Sequence, residues 1–323
     1  MKQKILFATA LACLPAVLLA GPEPAEGADK APDRIELASP QVVVPLRMEK
    51  GRPVVEVGID GKGPFPFVLD TGAGGTVLGS DLARELALPE AGEARIGDPI
   101  NPHAITAKRV RIGRLALGGA IFSGMTATSM ENPALREHLG ARGVLGMPVF
   151  GELLLTLDFG RGEVRIARGQ LPPPDGKDVV AYRPGFGGTI RVPITVGPLE
   201  LDADLDSGSP AAVSLPNEYM DRLPLEGKPV EIGRARTVTS EFVVYGATLK
   251  GAVQIGGHRL ENPALRFNRL PVANVGSELL RRFAVTIDQK SRRIRLAESP
   301  GSIEAVDAPK GSPAGASSRG PHE

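Results

Sequence analysis

Two short acidic motifs can do chemistry together. Asp70-Thr71-Gly72 ends the apolar run in FVLDTGAGGTVL, residues 67–78. Asp206-Ser207-Gly208 ends the run in ADLDSGSPAAVSL, residues 203–215. One such tripeptide alone reads as a turn, with Asp bonding the backbone two residues on and Gly supplying a permissive φ. Two copies change that reading. Both follow apolar residues, Val68-Leu69 and Leu205, where an unpaired carboxylate is costly. If two similar halves pack about a two-fold axis, Asp70 and Asp206 face each other, and carboxylates in contact share one proton. The charged member of such a pair can take a proton from water while the protonated member donates to an amide carbonyl oxygen. That chemistry calls for no metal, no other cofactor and no covalent intermediate. The Thr71 and Ser207 hydroxyls are suited to hold the two loops in register. Gly72 and Gly208 let backbone N–H groups approach the carboxylates.

Positioning the two acids requires a repeat, and the sequence contains one. VVEVGIDGKGPFPFVLDTGAGGTVLGSDLARELAL in the first half matches TIRVPITVGPLELDADLDSGSPAAVSLPNEYMDRLPL in the second. Each copy has a strand-like run, a Gly-Pro turn, an alternating strand rising to the acid, a short apolar stretch and a helical pattern. The alignment runs without a gap from Asp70 and Asp206 through Val77 and Val213. Ser80 or Asp81 is expected to cap the first helix, which places Leu82, Leu86 and Leu88 near one face. RLALGGAIF (114–122) pairs with AVQIGGHRL (252–260), and GVLGMPVFGELLLTLDFGRGEVRIA (143–167) with ANVGSELLRRFAVTIDQKSRRIRLA (273–297). Gly146 then corresponds to Gly276 and Asp158 to Asp288. The segments 89–113 and 225–251 read as hairpins.

Composition agrees with a turn-rich β protein. The 323 residues include 40 Gly and 30 Pro yet are 42% hydrophobic, too apolar for a disordered chain. Net charge is +1, which implies neither nucleic acid nor an acidic membrane surface as partner. Lys2 and Lys4 precede an apolar stretch from Ile5 to Ala20, the pattern of a secretory signal peptide. The chain therefore reads as exported, to the periplasm or the medium, with no stable membrane span after signal removal. An uncleaved anchor and a lipoprotein cysteine at Cys13 are weaker readings. Cys13 is the only cysteine, so a processed chain has no disulfide and no thiol chemistry.

The paired motifs, with GVLGMPVF and ANVGSELL downstream of them, resemble the aspartic proteases of the retropepsin-like and pepsin-like group. The resemblance extends over most of both halves and is sharpest at the two acids. It implies an all-β, bilobal acid-protease fold: two homologous β-rich lobes with short helices and a cleft between them. It also implies a polypeptide substrate, Asp70 and Asp206 as catalytic residues, and Thr71, Gly72, Ser207 and Gly208 as site-supporting residues. A flap hairpin is expected near 95–113 or 233–250. The domain reading is a signal peptide over 1–20, a disordered lead-in over 21–38, lobes over 39–168 and 178–298, a Pro-rich linker over 169–177 and a disordered tail over 299–323. With both lobes tethered, the chain reads as a monomer with an internal pseudo-dimer. Two alternatives stay open: a non-catalytic peptide-binding protein on the same scaffold, and lobes that each need another chain. The linker disfavours the second of these. Two departures stand in the second lobe. Asn274 replaces the usual apolar residue, and Asp202 and Asp204 precede Asp206, where extra negative charge would raise the pair's proton affinity.

Other signals are weaker. DADLDSGSPAAV imitates a calcium loop but has Ser207 and Val213 where Gly and Glu are required. GAGGTVLGS (72–80) matches neither glycine-rich nucleotide motif. His103, His138, His258 and His322 lack ligand spacing and read as surface residues. Arg109, Arg111, Arg114, Arg292, Arg293 and Arg295 read as solvated strand faces. Asp158 and Asp288 read as turn residues.

Overall fold

A computed structural model describes residues 30–96, 105–237 and 240–300. The chain is 57% strand and 11% helix, an all-β bilobal fold. One nine-stranded sheet belongs to the first half and one ten-stranded sheet to the second; a six-stranded sheet joins them. Strand formation follows the two-residue period. In Ile190–Val196, for example, Ile190, Val192, Ile194 and Val196 face the core, while Pro193 lies exposed.

The joining sheet fixes the symmetry. Its central strands, Leu154–Asp158 and Phe283–Asp288, are repeat counterparts that pair antiparallel with each other. Thr156 lies opposite its own counterpart Thr286, with the hydroxyls 2.9 Å apart. Leu154 pairs with Asp288 and Asp158 with Ala284, so the pairing exchanges the halves about that threonine pair. Asp158 and Asp288 end these strands as expected. Asp158 accepts from Arg161 N–H at 3.2 Å, and Asp288 from Ser291 N–H at 2.9 Å.

Several expectations need correction. Residues 30–38, the end of the lead-in, are ordered: Arg34–Leu37 pairs with 120–123, and Ile35 and Leu37 rest against the core. Ser299, assigned to the tail, is buried and donates its hydroxyl to Asp158. The Pro-rich connection is anchored, since buried Leu171 donates its N–H to Asp288 at 2.9 Å and accepts from Arg293 at 2.7 Å. The expected signal peptide and nearly all of the expected tail lie outside the described residues. The helix Ser80–Glu85 has Gly79 as its cap, with no side-chain cap bond; Leu82, Leu86 and Leu88 are buried as expected. The second-half helix is only a 3-10 turn, Asn217–Arg222, because Pro216 and Pro224 bound it and the residue before a proline disfavours helix. The repeat alignment also slips. Val144 pairs with Val77 but Asn274 pairs with Ser214, so the loop after Asp206 is one residue longer than the loop after Asp70.

Candidate active site

Each acid ends a strand that is held by a parallel neighbour. Lys62–Leu69 runs beside Gly143–Leu145, and the N–H of Asp70 donates to Leu145 at 3.1 Å. Leu199–Asp206 runs beside Ala273–Gly276 in the same manner. Leu69, Leu145, Leu205 and Val275 are fully buried, which anchors both strand ends in the core. The carboxylates are therefore carried on rigid elements and not on free loops.

The two loops grip each other. Thr71 Oγ1 donates to the Leu205 carbonyl at 2.8 Å, and Ser207 Oγ donates to the Leu69 carbonyl at 2.7 Å. In return, Ser207 N–H donates to Thr71 Oγ1 at 2.9 Å and Thr71 N–H to Ser207 Oγ at 3.0 Å. All four bonds cross between the lobes. Gly72 and Gly208 are needed for close approach: a Cβ on Gly72 would sit 2.8 Å from Asp206 Cγ, and one on Gly208 would sit 2.5 Å from Asp70 Oδ2. The same glycines thus bring each loop against the opposite acid, and the two carboxyls are near enough to shift each other's proton affinity.

The environment separates the two acids. Asp70 is 2% exposed and Asp206 7%. Burial, and then the Asp206 charge, push the Asp70 carboxyl well above the usual range; one bond from Gly72 N–H at 2.8 Å opposes this. Burial also raises Asp206, but against more opposition. Asn274 Nδ2 donates to its Oδ2 at 2.6 Å, Ser209 N–H donates to its Oδ1 at 3.0 Å, and the neighbouring Asp70 carboxyl also favours its charged form. Asp70 is therefore the natural proton holder and Asp206 the natural anion.

Two residues that sequence reasoning did not assign to the site act on it. Arg52, 2% exposed, starts a first-lobe strand and donates Nε to the Gly208 carbonyl at 2.9 Å. Its charge lowers the pKa of both acids. Beside it, Ser277 Oγ donates to the Gly51 carbonyl, so this first-lobe turn docks onto the second-lobe loop. Asn274 had a sequence signal, as a polar residue in an apolar pattern. Arg52 had none, because nothing local marks an arginine as buried.

The expected effect of Asp202 and Asp204 is corrected. Asp204 is held by Arg191 through bonds of 2.7 and 3.0 Å, and Asp202 by Arg183. These cations offset the extra negative charge. Of the other residues singled out, His258 is half-buried, with its ring edge-on to Phe283 and Nε2 3.0 Å from the Leu296 carbonyl. His138, Arg111, Arg114, Arg292 and Arg295 are exposed, whereas Arg109 and Arg293 are half-buried. His103 and His322 lie outside the described residues.

A pocket continues from Asp206, Gly72 and Gly208 into the second lobe. Its walls include Ala235, Phe242 and Val244 from the hairpin formed by Leu225–Arg236 and Glu241–Leu249, with Leu270 across from them. This places one of the two expected flap segments beside the site. The first-lobe hairpin, Glu90–Ile96 with Ile105–Leu117, has its tip at 97–104, outside the described residues. Among the described residues no helix is long and apolar enough to cross a membrane.

In a comparison with known families, residues 55–149 fit a family model described as aspartyl protease. The matched segment contains Asp70, Thr71 and Gly72 and ends just past Gly146. No curated protein matches the sequence.

Proposed function

With the aspartic protease family as premise, we propose that this chain is an endopeptidase whose one active site is formed by Asp70 of the first lobe and Asp206 of the second. The observation that carries the proposal is that two buried carboxyls are each approached by the loop of the other, held by the reciprocal Thr71–Ser207 grip. A pair of turn residues has no need of either feature.

The division of labour follows from the surroundings of each acid. Asp206, ionised and steadied by Asn274 and Ser209, takes a proton from water as the water oxygen bonds to the amide carbon. Asp70, protonated, gives its proton to the carbonyl oxygen, so the tetrahedral centre forms without a full negative charge. In the second step the proton on Asp206 passes to the amide nitrogen and the C–N bond breaks. A hydroxyl proton of the tetrahedral centre returns to Asp70, and the starting protonation state is restored. Thr71 and Ser207 touch no substrate in this scheme and position the two loops.

Both lobes lie in one chain, which supports a monomer that completes its own site. The basic start and apolar stretch over Ile5–Ala20 support export to the periplasm or medium, which fractionation of an expressing cell tests directly. For the catalytic reading, Asp70→Asn and Asp206→Asn are compared with wild type on denatured protein across pH. Each substitution is expected to lower cleavage by roughly 10²–10⁴-fold. Equal cleavage by wild type and either variant would remove the dyad from the mechanism.

A further inference from the structure

The second-lobe sheet carries a polar row that the first lobe lacks. Register aligns Arg191 with Asp204, Asp204 with Asn274, Asn274 with Ser214, and Ser214 with Arg266 across five adjacent strands. Residues in register share a face. Their chain neighbours Leu205, Val275, Val213 and Leu265 point the other way, into the core. In the first lobe the equivalent stations are Val54, Val68, Val144, Val77 and Thr128, all buried. There the four valines form a separate apolar cluster with Leu135 and Leu139 of the helix Pro133–Leu139.

That helix lies in the connection 131–142. The matching connection in the second lobe, 269–272, is too short for one. The second-lobe row is consequently left uncovered, and Asp204, Asn274, Ser214 and Arg266 line the pocket that opens beside Asp206. The pocket occupies the place that leucines fill in the first lobe.

Charge along the row is uneven. Arg191 has Asp204, and both oxygens of Asp204 are engaged by it. Arg266 stands two strands beyond Asn274, roughly 10 Å away at ordinary strand spacing. It is half-buried, and its guanidinium makes no hydrogen bond or ion pair with any described residue. Ala235, Phe242, Val244 and Leu270 give the pocket an apolar side, while Thr237, Asn268 and Arg236, which is paired with Glu241, also line it. A guanidinium with no counter-ion on the wall of a pocket is free to take one, and its planar fork is shaped for a carboxylate.

We propose that Arg266 makes this pocket a subsite for an acidic side chain of the substrate, so that the protein prefers peptides with glutamate or aspartate seated next to the dyad. The proposal rests on reading the cleft as a peptide site, and it adds the substrate class to that reading. The apolar walls hold the methylene stem while the carboxylate reaches Arg266 at the far end, away from the charge on Asp206.

Matched peptides carrying Glu, Gln or Lys at each position flanking one cleavable bond test it at about pH 6, where glutamate is ionised. At one position wild type is expected to favour Glu over Gln by roughly 10- to 100-fold in kcat/KM. Arg266→Gln is expected to bring that ratio close to one, and Arg266→Glu to turn the preference toward Lys. Thermal melts establish that both variants are folded. No Glu preference in wild type, or an unchanged preference in folded Arg266→Gln, would overturn the proposal. If wild type cleaves none of the peptides, the protease reading fails, and fluorescence anisotropy of the same peptides decides the subsite separately. Tighter binding of the Glu peptide that is lost in Arg266→Gln supports it. Equal binding of all three overturns it.

Discussion

The side-chain amide of Asn274 donates to Asp206 Oδ2 at 2.6 Å, while the equivalent position in the first lobe is Val144. A symmetric fold thus holds an asymmetric pair of acids. Burial raises both, but Asp206 alone receives a side-chain amide, a donor that favours its charged form.

Replacing that donor gives the first prediction. Asn274→Val removes a bond to the anion, so the Asp206 pKa rises. The acid limb of the pH profile of kcat/KM, where Asp206 becomes protonated, is expected to move to higher pH by about one unit, the usual scale for one charge-assisted bond. The alkaline limb, set by loss of the Asp70 proton, should move less. An acid limb that stays in place would mean that Asn274 does not set the charge on Asp206.

Arg52 makes a contrasting prediction. Its charge lowers the pKa of both acids, and its Nε holds the Gly208 carbonyl at 2.9 Å. Arg52→Gln is expected to move both limbs toward higher pH, where Asn274→Val moves chiefly one. It should also destabilise the fold by about 1–3 kcal/mol, because a buried carbonyl loses a charged donor. A pH profile superimposable on wild type, with lowered stability, would reduce Arg52 to a purely structural role.

Much of this arrangement was legible in the sequence, and the reasons differ from residue to residue. Asp70 and Asp206 could be paired because the repeat carried them at equivalent points, and the same repeat predicted the Thr71–Ser207 contact. Asn274 was visible only as a departure from an apolar pattern. Its role depends on the neighbouring parallel strand, which no local signal specifies. Arg52 was silent for the same reason, since its partner Gly208 lies 156 residues away. The reading of Asp202 and Asp204 as a source of negative charge failed because Arg191 faces Asp204 from the adjacent strand and Arg183, one strand further out, reaches Asp202. The slip between Val77 and Ser214 was hidden because Val77 and Val213 stand at the same offset from their acids, so an alignment without a gap looks sound.

The Thr71–Ser207 grip supplies a prediction about stability. Thr71→Val leaves the Ser207 N–H and the Leu205 carbonyl without their partner in a buried setting. A loss of about 1–3 kcal/mol is expected for each group so orphaned. At about 2–4 °C per kcal/mol for a chain of this size, the fall in Tm is readily measured. Ser207→Ala should do the same to the Thr71 N–H and the Leu69 carbonyl. Because the two hydroxyls act on shared loops, the double variant should lose less than the sum of the single ones. Strict additivity would argue that the loops are held by other contacts.

The dyad itself should make stability depend on pH. The folded pKa of Asp70 lies well above its unfolded value, so the folded state binds its proton more tightly than the unfolded state. The stability linked to that proton is fully present below the unfolded pKa, near 3.9, and is lost as pH rises through the folded pKa. Asp70→Asn keeps the shape and removes the ionisation. Its Tm is therefore expected to match or fall slightly below wild type at acid pH and to exceed it at neutral pH, where the unfolded wild type gains by ionising Asp70 and the folded state resists that ionisation. Asp206→Asn should change the pH dependence less, because the Asn274 and Ser209 donors oppose part of the effect of its burial. Measuring Tm for the three proteins from acid to neutral pH checks both statements. If Asp70→Asn gained nothing at neutral pH, Asp70 would not be the member that resists ionisation, and the assignment of acid and base would have to be exchanged.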